Sequence, residues 1–316
     1  MTVRVSSGLE LSHHATDKLL GHAKFYPSKV TVRHHQLRHL VTVAHGDKIY
    51  YVNDYDVYAL DVQSNESTLL ATVPFEARCL AANHGWVCVG GEKNGDCAFI
   101  RLNQVNGTTK CFDHEITVDV LTGEIVNSMD VHLLRDDVEA HPEAIVLISN
   151  NDRTVKVFSL DRREVLTSLE HDVPMNFATL SPDSTILAAV GDSNRVYFYQ
   201  RHKVGSSHDK KLGYELPDFE WRPLAVPTIP TGDDVLDDHS FAVTFSPSGN
   251  LCAASSQGGV ITVFDVDMLR DTTRPPEDAI LCFFKSSRKT LWGCVRSMTF
   301  SPQPWDLLAW LKIMVG

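Results

Sequence analysis

The sequence predicts an all-β fold built from one repeated module of about forty residues. Three observations carry the prediction. Residues 145–160 hold an apolar run, Ile145 to Ile148, then a polar turn, Ser149 to Arg153, then a second strand, Thr154 to Phe158, whose side chains alternate between two faces. That is the grammar of a β-hairpin. The same grammar returns at 49–60, 86–102, 186–199 and 251–264. A second landmark repeats beside it: Leu180-Ser181-Pro182-Asp183, Phe245-Ser246-Pro247-Ser248 and Phe300-Ser301-Pro302-Gln303 each end a short apolar strand in turn chemistry.

Taken in order, residues 1–37 are polar and rich in histidine, and read as an N-terminal arm able to supply a closing strand. Repeats follow at 38–74, 75–116, 125–172, 173–200 and 240–284. The markers Tyr58, Ile100, Phe158, Tyr199 and Phe264, at the end of each second strand, lie 42, 58, 41 and 65 residues apart. Insertions at 103–124 and 201–239 account for the two long intervals. The second insertion is proline-rich and changes from basic to acidic, so it is expected to be a surface loop. A sixth repeat begins at Val295, turns at Ser301 and reaches the chain end without its hairpin partner.

Two of the intervals fall in the roughly 40–45-residue period of WD-type repeats. With Ser149 to Phe158 as the nearest match, the residues resemble the WD-repeat family, with Phe264-Asp265 and Leu160-Asp161 near the place where that family has its Trp-Asp pair. The resemblance implies a β-propeller, here incomplete, with five to six blades represented and the last one cut short. Cys294 to Trp310, centred on Trp305-Asp306-Leu307-Leu308, resembles the short box of a fungal family of WD-repeat-like proteins without known function. A yeast protein of similar plan is a substrate receptor of a multisubunit ubiquitin ligase of the GID (CTLH) type. By that analogy, ligase subunits are expected partners of this chain.

Bulk composition narrows the function classes. The net charge is −11 over 316 residues, which disfavours nucleic acid and anionic membranes as partners. The first residues lack the apolar core of a signal peptide, and no run approaches the ~18 apolar residues of a membrane span. Seven cysteines in no CxxC spacing read as reduced, buried thiols of a cytoplasmic or nuclear protein.

Candidate sites are few. Arg78, Asn176, Phe241 and Arg296 stand where first strands begin, on the rim that a propeller offers to a peptide. Asp152 and Asp192 are expected to fix tight turns by accepting backbone N–H bonds, and His171 to bond within its own repeat. Gly90-Gly91 and Gly258-Gly259 are expected in hairpin turns. His13-His14 and His34-His35 lack metal-site spacing, and Asp233, Asp234, Asp237 and Asp238 do not match an EF-hand loop, so no metal or cofactor is expected. No G-x-S-x-G or phosphate-cradling motif occurs. The expected function is a non-enzymatic protein-interaction module, with a structural scaffold and a propeller hydrolase as alternatives.

Overall fold

A computed structural model describes residues 24–31, 39–44, 48–102, 114–121, 123–134, 142–209, 214–231, 239–286 and 295–312. The predicted all-β architecture is present as five four-stranded antiparallel sheets and one two-stranded sheet. The first sheet is β1 (Val41–Val43), β2 (Lys48–Asn53), β3 (Asp56–Asp61) and β4 (Glu66–Thr72); the second is β5 (Ala77–Asn83), β6 (Trp86–Gly91), β7 (Asp96–Leu102) and β8 (His114–Val120). The third is β9 (Val126–Leu134), β10 (Glu143–Asn150), β11 (Thr154–Ser159) and β12 (Glu164–Glu170); the fourth is β13 (Met175–Leu180), β14 (Ile186–Gly191), β15 (Val196–Asp209) and β16 (Tyr214–Ala225). The fifth is β17 (Ser240–Phe245), β18 (Leu251–Ser256), β19 (Val260–Asp265) and β20 (Ile280–Lys285), and the sixth is β21 (Val295–Phe300) with β22 (Leu308–Lys312). Every sheet is a meander in chain order. One short helix, α1 (Val266–Arg270), is capped by Asp265 Oδ1, which accepts from the amides of Asp267 and Met268.

Strand alternation explains why the sheets stack in succession. Successive side chains of a strand point to opposite faces. In β10, Ala144, Val146 and Ile148 enter the core shared with the second sheet, while Ile145 and Leu147 enter the core shared with the fourth. In β14, Leu187 and Ala189 face the third sheet, and Ile186, Ala188 and Val190 face the fifth. Five such cores join the six sheets in sequence order. The first strands β1, β5, β9, β13, β17 and β21 each contact the next. This succession is consistent with a propeller-like fold.

The Ser-Pro landmarks are the turns between first and second strands. Ser181 Oγ accepts from the Ile186 amide at 2.9 Å, Ser246 Oγ from Leu251 at 3.1 Å, and Ser301 Oγ from Leu307 at 3.0 Å. In each turn the serine amide also donates to the carbonyl of that same residue. The hydroxyl adds a local acceptor to the turn, and the proline that follows, with its fixed φ and no N–H, suits a turn position.

Two expectations need correction. Residues 201–239 are not a surface loop throughout: β15 continues to Asp209 and pairs with β16 along a ribbon from Phe198↔Ala225 to Asp209↔Tyr214. Its polar and proline residues concealed the strands: among the described residues no third strand pairs with the ribbon beyond Gln200, and its apolar contacts are Trp221 and Phe219, which pack on the core between the third and fourth sheets. Gly90 and Gly91 lie in β6, not in the turn. A Cβ on Gly90 would stand 2.4 Å from Val126 Cγ1 and 2.6 Å from Cys79 Sγ, so close packing of the third sheet, rather than turn geometry, requires glycine there. Of the expected arm, residues 24–31 are described, and they form no strand. They are tied to the first sheet by Lys24 Nζ donating to the Val62 carbonyl at 2.8 Å and Thr31 Oγ1 to Asn53 Oδ1 at 2.6 Å. The paired histidines at 13–14 and 34–35 and the aspartates at 233–238 lie outside the described residues.

Candidate functional site

Each first strand from the second sheet to the sixth skips one residue near its start. In β5 the partners of Ala77 and Cys79 are consecutive, Gly91 and Gly90, so Arg78 bulges out. The same slip leaves out Asn127 in β9, Asn176 in β13, Phe241 in β17 and Arg296 in β21. A bulged residue is released from the pleat and its side chain is re-aimed. Four of the five bulge residues are the sequence-derived rim candidates. Asn127 was missed, although Val126-Asn127 repeats the apolar-Asn pair of Met175-Asn176.

The bulge side chains reach towards the next sheet. Asn127 Nδ2 donates to the carbonyl of Met175, the first residue of β13, at 2.8 Å. Asn176 Nδ2 repeats the bond one sheet on, donating to the carbonyl of Ser240, the first residue of β17, at 3.0 Å. Phe241 lies beneath the Arg296 guanidinium, 3.4 Å from Cζ to ring centre. Arg78 stays within its own sheet, 2.7 Å from Glu92 and 3.6 Å from Glu76. Arg78, Asn176 and Phe241 are only 8, 7 and 4% exposed, so they are not the open rim positions the sequence suggested; Arg296 is half-buried.

Solvent instead meets Asp192, His239 and Arg296 on this face. Asp192 Oδ1 accepts from Asn176 Nδ2 at 2.8 Å and lies 2.7 Å from His239 Nδ1, and the His239 ring stacks on Phe241 at 6.1 Å. Burial pulls the Asp192 carboxyl upward, but His239, Asn176 and the charge of Arg296 hold it below the usual range. Its carboxylate thus ties the fourth sheet to the fifth, whereas a local turn role was expected. Asp152 does serve its turn: Oδ1 accepts from the Thr154 amide at 3.1 Å and from its hydroxyl at 2.6 Å, and Oδ2 accepts from Lys156 Nζ at 2.9 Å. His171 bonds within its own repeat, its amide donating to the Arg153 carbonyl at 2.9 Å, and also reaches the next. Its Nε2 is 2.9 Å from the Tyr199 hydroxyl, and Tyr197 meets the ring edge-on at 4.8 Å, both from β15. A bond across to the next sheet suits a residue placed in the connection between two sheets.

His39, just before β1, sits among the first strands. Its carbonyl accepts from the Leu80 amide at 2.6 Å, and its ring stacks on Phe177 of β13 at 4.9 Å. Desolvation lowers its pKa to about 4, against the opposing charge of Asp130 and with the help of Arg296. His39 therefore reaches β5 and β13 directly and feels charges on β9 and β21.

No family model matches the chain. An uncharacterised protein of Schizosaccharomyces pombe is 27% identical over 293 residues, covering 90% of this chain and 72% of that protein. The similarity therefore spans most of the sheet succession rather than a single motif. Among the described residues, no group of three His, Cys, Asp or Glu side chains is placed to hold a metal ion, and no helix is long and apolar enough to cross a membrane. The described cysteines, Cys79, Cys88, Cys97, Cys252 and Cys282, are free thiols, and burial pushes Cys79 up to about 12. A thiol held that high is not a nucleophile at neutral pH.

Proposed function

We propose that this chain is a propeller-type, WD-repeat-like protein-interaction module that engages a peptide or protein partner on the face where the first strands begin. The observation that carries the reading is the recurring bulge. Five first strands make the same slip at the same end, and four of the side chains so re-aimed, Asn127, Asn176, Phe241 and Arg296, fasten neighbouring sheets. A face held by buried bonds loses little conformational entropy on binding. The half-exposed Asp192, His239 and Arg296 offer charge and ring surface there. The resemblance of the Trp305 box extends the proposal to substrate recognition for a multisubunit ubiquitin ligase in the cytoplasm or nucleus.

The test is affinity capture of the tagged full chain beside its Arg296→Glu variant, with partners quantified and client half-lives followed after deletion. The proposal expects ligase subunits with both chains, a client lost with the variant, and that client stabilised on deletion. Stoichiometric recovery of one large assembly, unaffected by the variant and without client turnover, would favour a scaffold role.

A further inference from the structure

A pocket of ≈ 440 Å³ opens at the opposite end of the first strands, where β9, β13 and β17 finish. Exposed His84, Pro182 and Asp183 stand at its mouth, and Leu133, Leu180 and Phe245 give it apolar walls. Its polar lining includes His132 and Thr179, and Asp130 stands behind both. His132 Nε2 is 2.8 Å from Asp130 Oδ2, and the Thr179 hydroxyl bonds the same carboxylate.

An ionised carboxylate only accepts hydrogen bonds. His132 Nε2–H and the Thr179 O–H are therefore both spent on Asp130. Lone pairs remain on the threonine oxygen and, in the tautomer whose Nε2–H faces Asp130, on His132 Nδ1. Two further lining hydroxyls have donated elsewhere, Ser184 Oγ to the Leu133 carbonyl at 3.1 Å and Ser181 Oγ to Asp183 Oδ1 at 2.5 Å. His132, Thr179, Ser181 and Ser184 thus present acceptors to the pocket, with a negative charge one bond behind the first two. Such a lining selects a donor, and in a chain of net charge −11 a cationic donor. The apolar walls suit the methylene stem that carries such a group.

We propose that this pocket binds a cation on an apolar stem, the lysine or arginine side chain of a protein partner, which donates to His132 and Thr179 in front of Asp130. The site lies at the other end of the strands from the bulge face and does not depend on the function proposed there.

The full chain would be titrated with acetylated, amidated Gly-Gly-X-Gly-Gly peptides, X being Lys, Arg, norleucine or Glu, while the histidine ring resonances are followed by NMR. The lysine or arginine peptide is expected to shift His132 saturably and to bind at least roughly tenfold tighter than the norleucine peptide. Asp130→Asn should weaken that binding by about fivefold or more. Thr244→Arg, which tethers a cation in the pocket, should abolish it with an unchanged melting temperature. Equal binding of lysine and norleucine peptides, or undiminished binding by Thr244→Arg, would overturn the proposal. An n-butylammonium arm separates the sources: weaker binding than the lysine peptide supports a protein partner, and equal binding overturns that assignment in favour of a free amine.

Discussion

The Arg296 guanidinium carbon stands 3.4 Å from the centre of the Phe241 ring. Both are bulge residues of neighbouring first strands, so a cation–π contact adds to the core that joins the fifth sheet to the sixth. Contacts of this kind contribute about 0.5–2 kcal/mol, more as the pair is desolvated. Phe241→Leu keeps apolar volume but removes the ring face. It should raise amide hydrogen exchange in β21 about fivefold, the equivalent of ~1 kcal/mol, with β10 unaffected. Unaltered exchange in β21 would show that the contact holds nothing.

Asn127 and Asn176 make the same bond one sheet apart. Replacing either by alanine leaves a carbonyl at the start of the next first strand without its side-chain donor. Each substitution should cost about 1–3 kcal/mol in urea denaturation. Asn176→Ala should cost the more, because Asp192 also loses a hydrogen bond. Losses below about 0.5 kcal/mol for both would mean that water replaces the amides without penalty.

Acid should destabilise the protein through His39. Its pKa is about 4 in the folded chain, below its ordinary value of 6.5, so the unfolded chain binds more protons between those values. Stability is expected to fall as pH drops from about 6.5 towards about 4, with a slope of at most about 1.4 kcal/mol per pH unit for this one group. Below that window Asp192 adds a second loss. Its folded pKa is depressed, so its contribution is present above the ordinary carboxylate range and disappears as it protonates. Chemical denaturation at stepped pH should show both phases, and His39→Gln should shrink the first, leaving the part that His171, also lowered by burial, contributes there.

Arg162 grips both oxygens of Glu143, Nε to Oε1 at 2.8 Å and Nη2 to Oε2 at 3.0 Å, and reaches Asp218 of β16 at 3.2 Å. The Glu143 side chain is 1% exposed, and burial pushes its carboxyl upward. Arg162→Met should strand this buried charge at a cost of about 3–5 kcal/mol. The folded Glu143 pKa would then rise further above its unfolded value. The variant should therefore be more stable at pH 5 than at pH 8, and Glu143→Gln in the same background should remove that difference. A variant equally stable at both pH values would refute the clamp.

Much of the fold was legible because both faces of most strands are buried. The run Ile145 to Ile148 reads as a strand for the same reason that it sits between two cores. The Ser-Pro turns were legible because proline fixes the turn backbone and the serine hydroxyl accepts a backbone N–H a few residues on, both local effects. The β15–β16 ribbon was not legible, because its apolar contacts, Phe219 and Trp221, stand among prolines and charged residues rather than in a continuous apolar run. Asp192 and His171 were placed in the right connections, but their partners were not visible. Those partners, Asn176, His239 and Tyr199, lie 16 to 47 residues away, and no local pattern records such pairings.

By itself the sequence determined the strand–turn module, its copies and its two alternating faces, since these depend on backbone periodicity and on residues within one turn of each other. Tertiary structure alone decided that the bulge residues fasten one sheet to the next, that His39 lies against Phe177, and that Asp130 stands behind His132 and Thr179. Those relations depend on how far each sheet turns relative to its neighbour, a quantity set by packing between cores and written in no single stretch of chain.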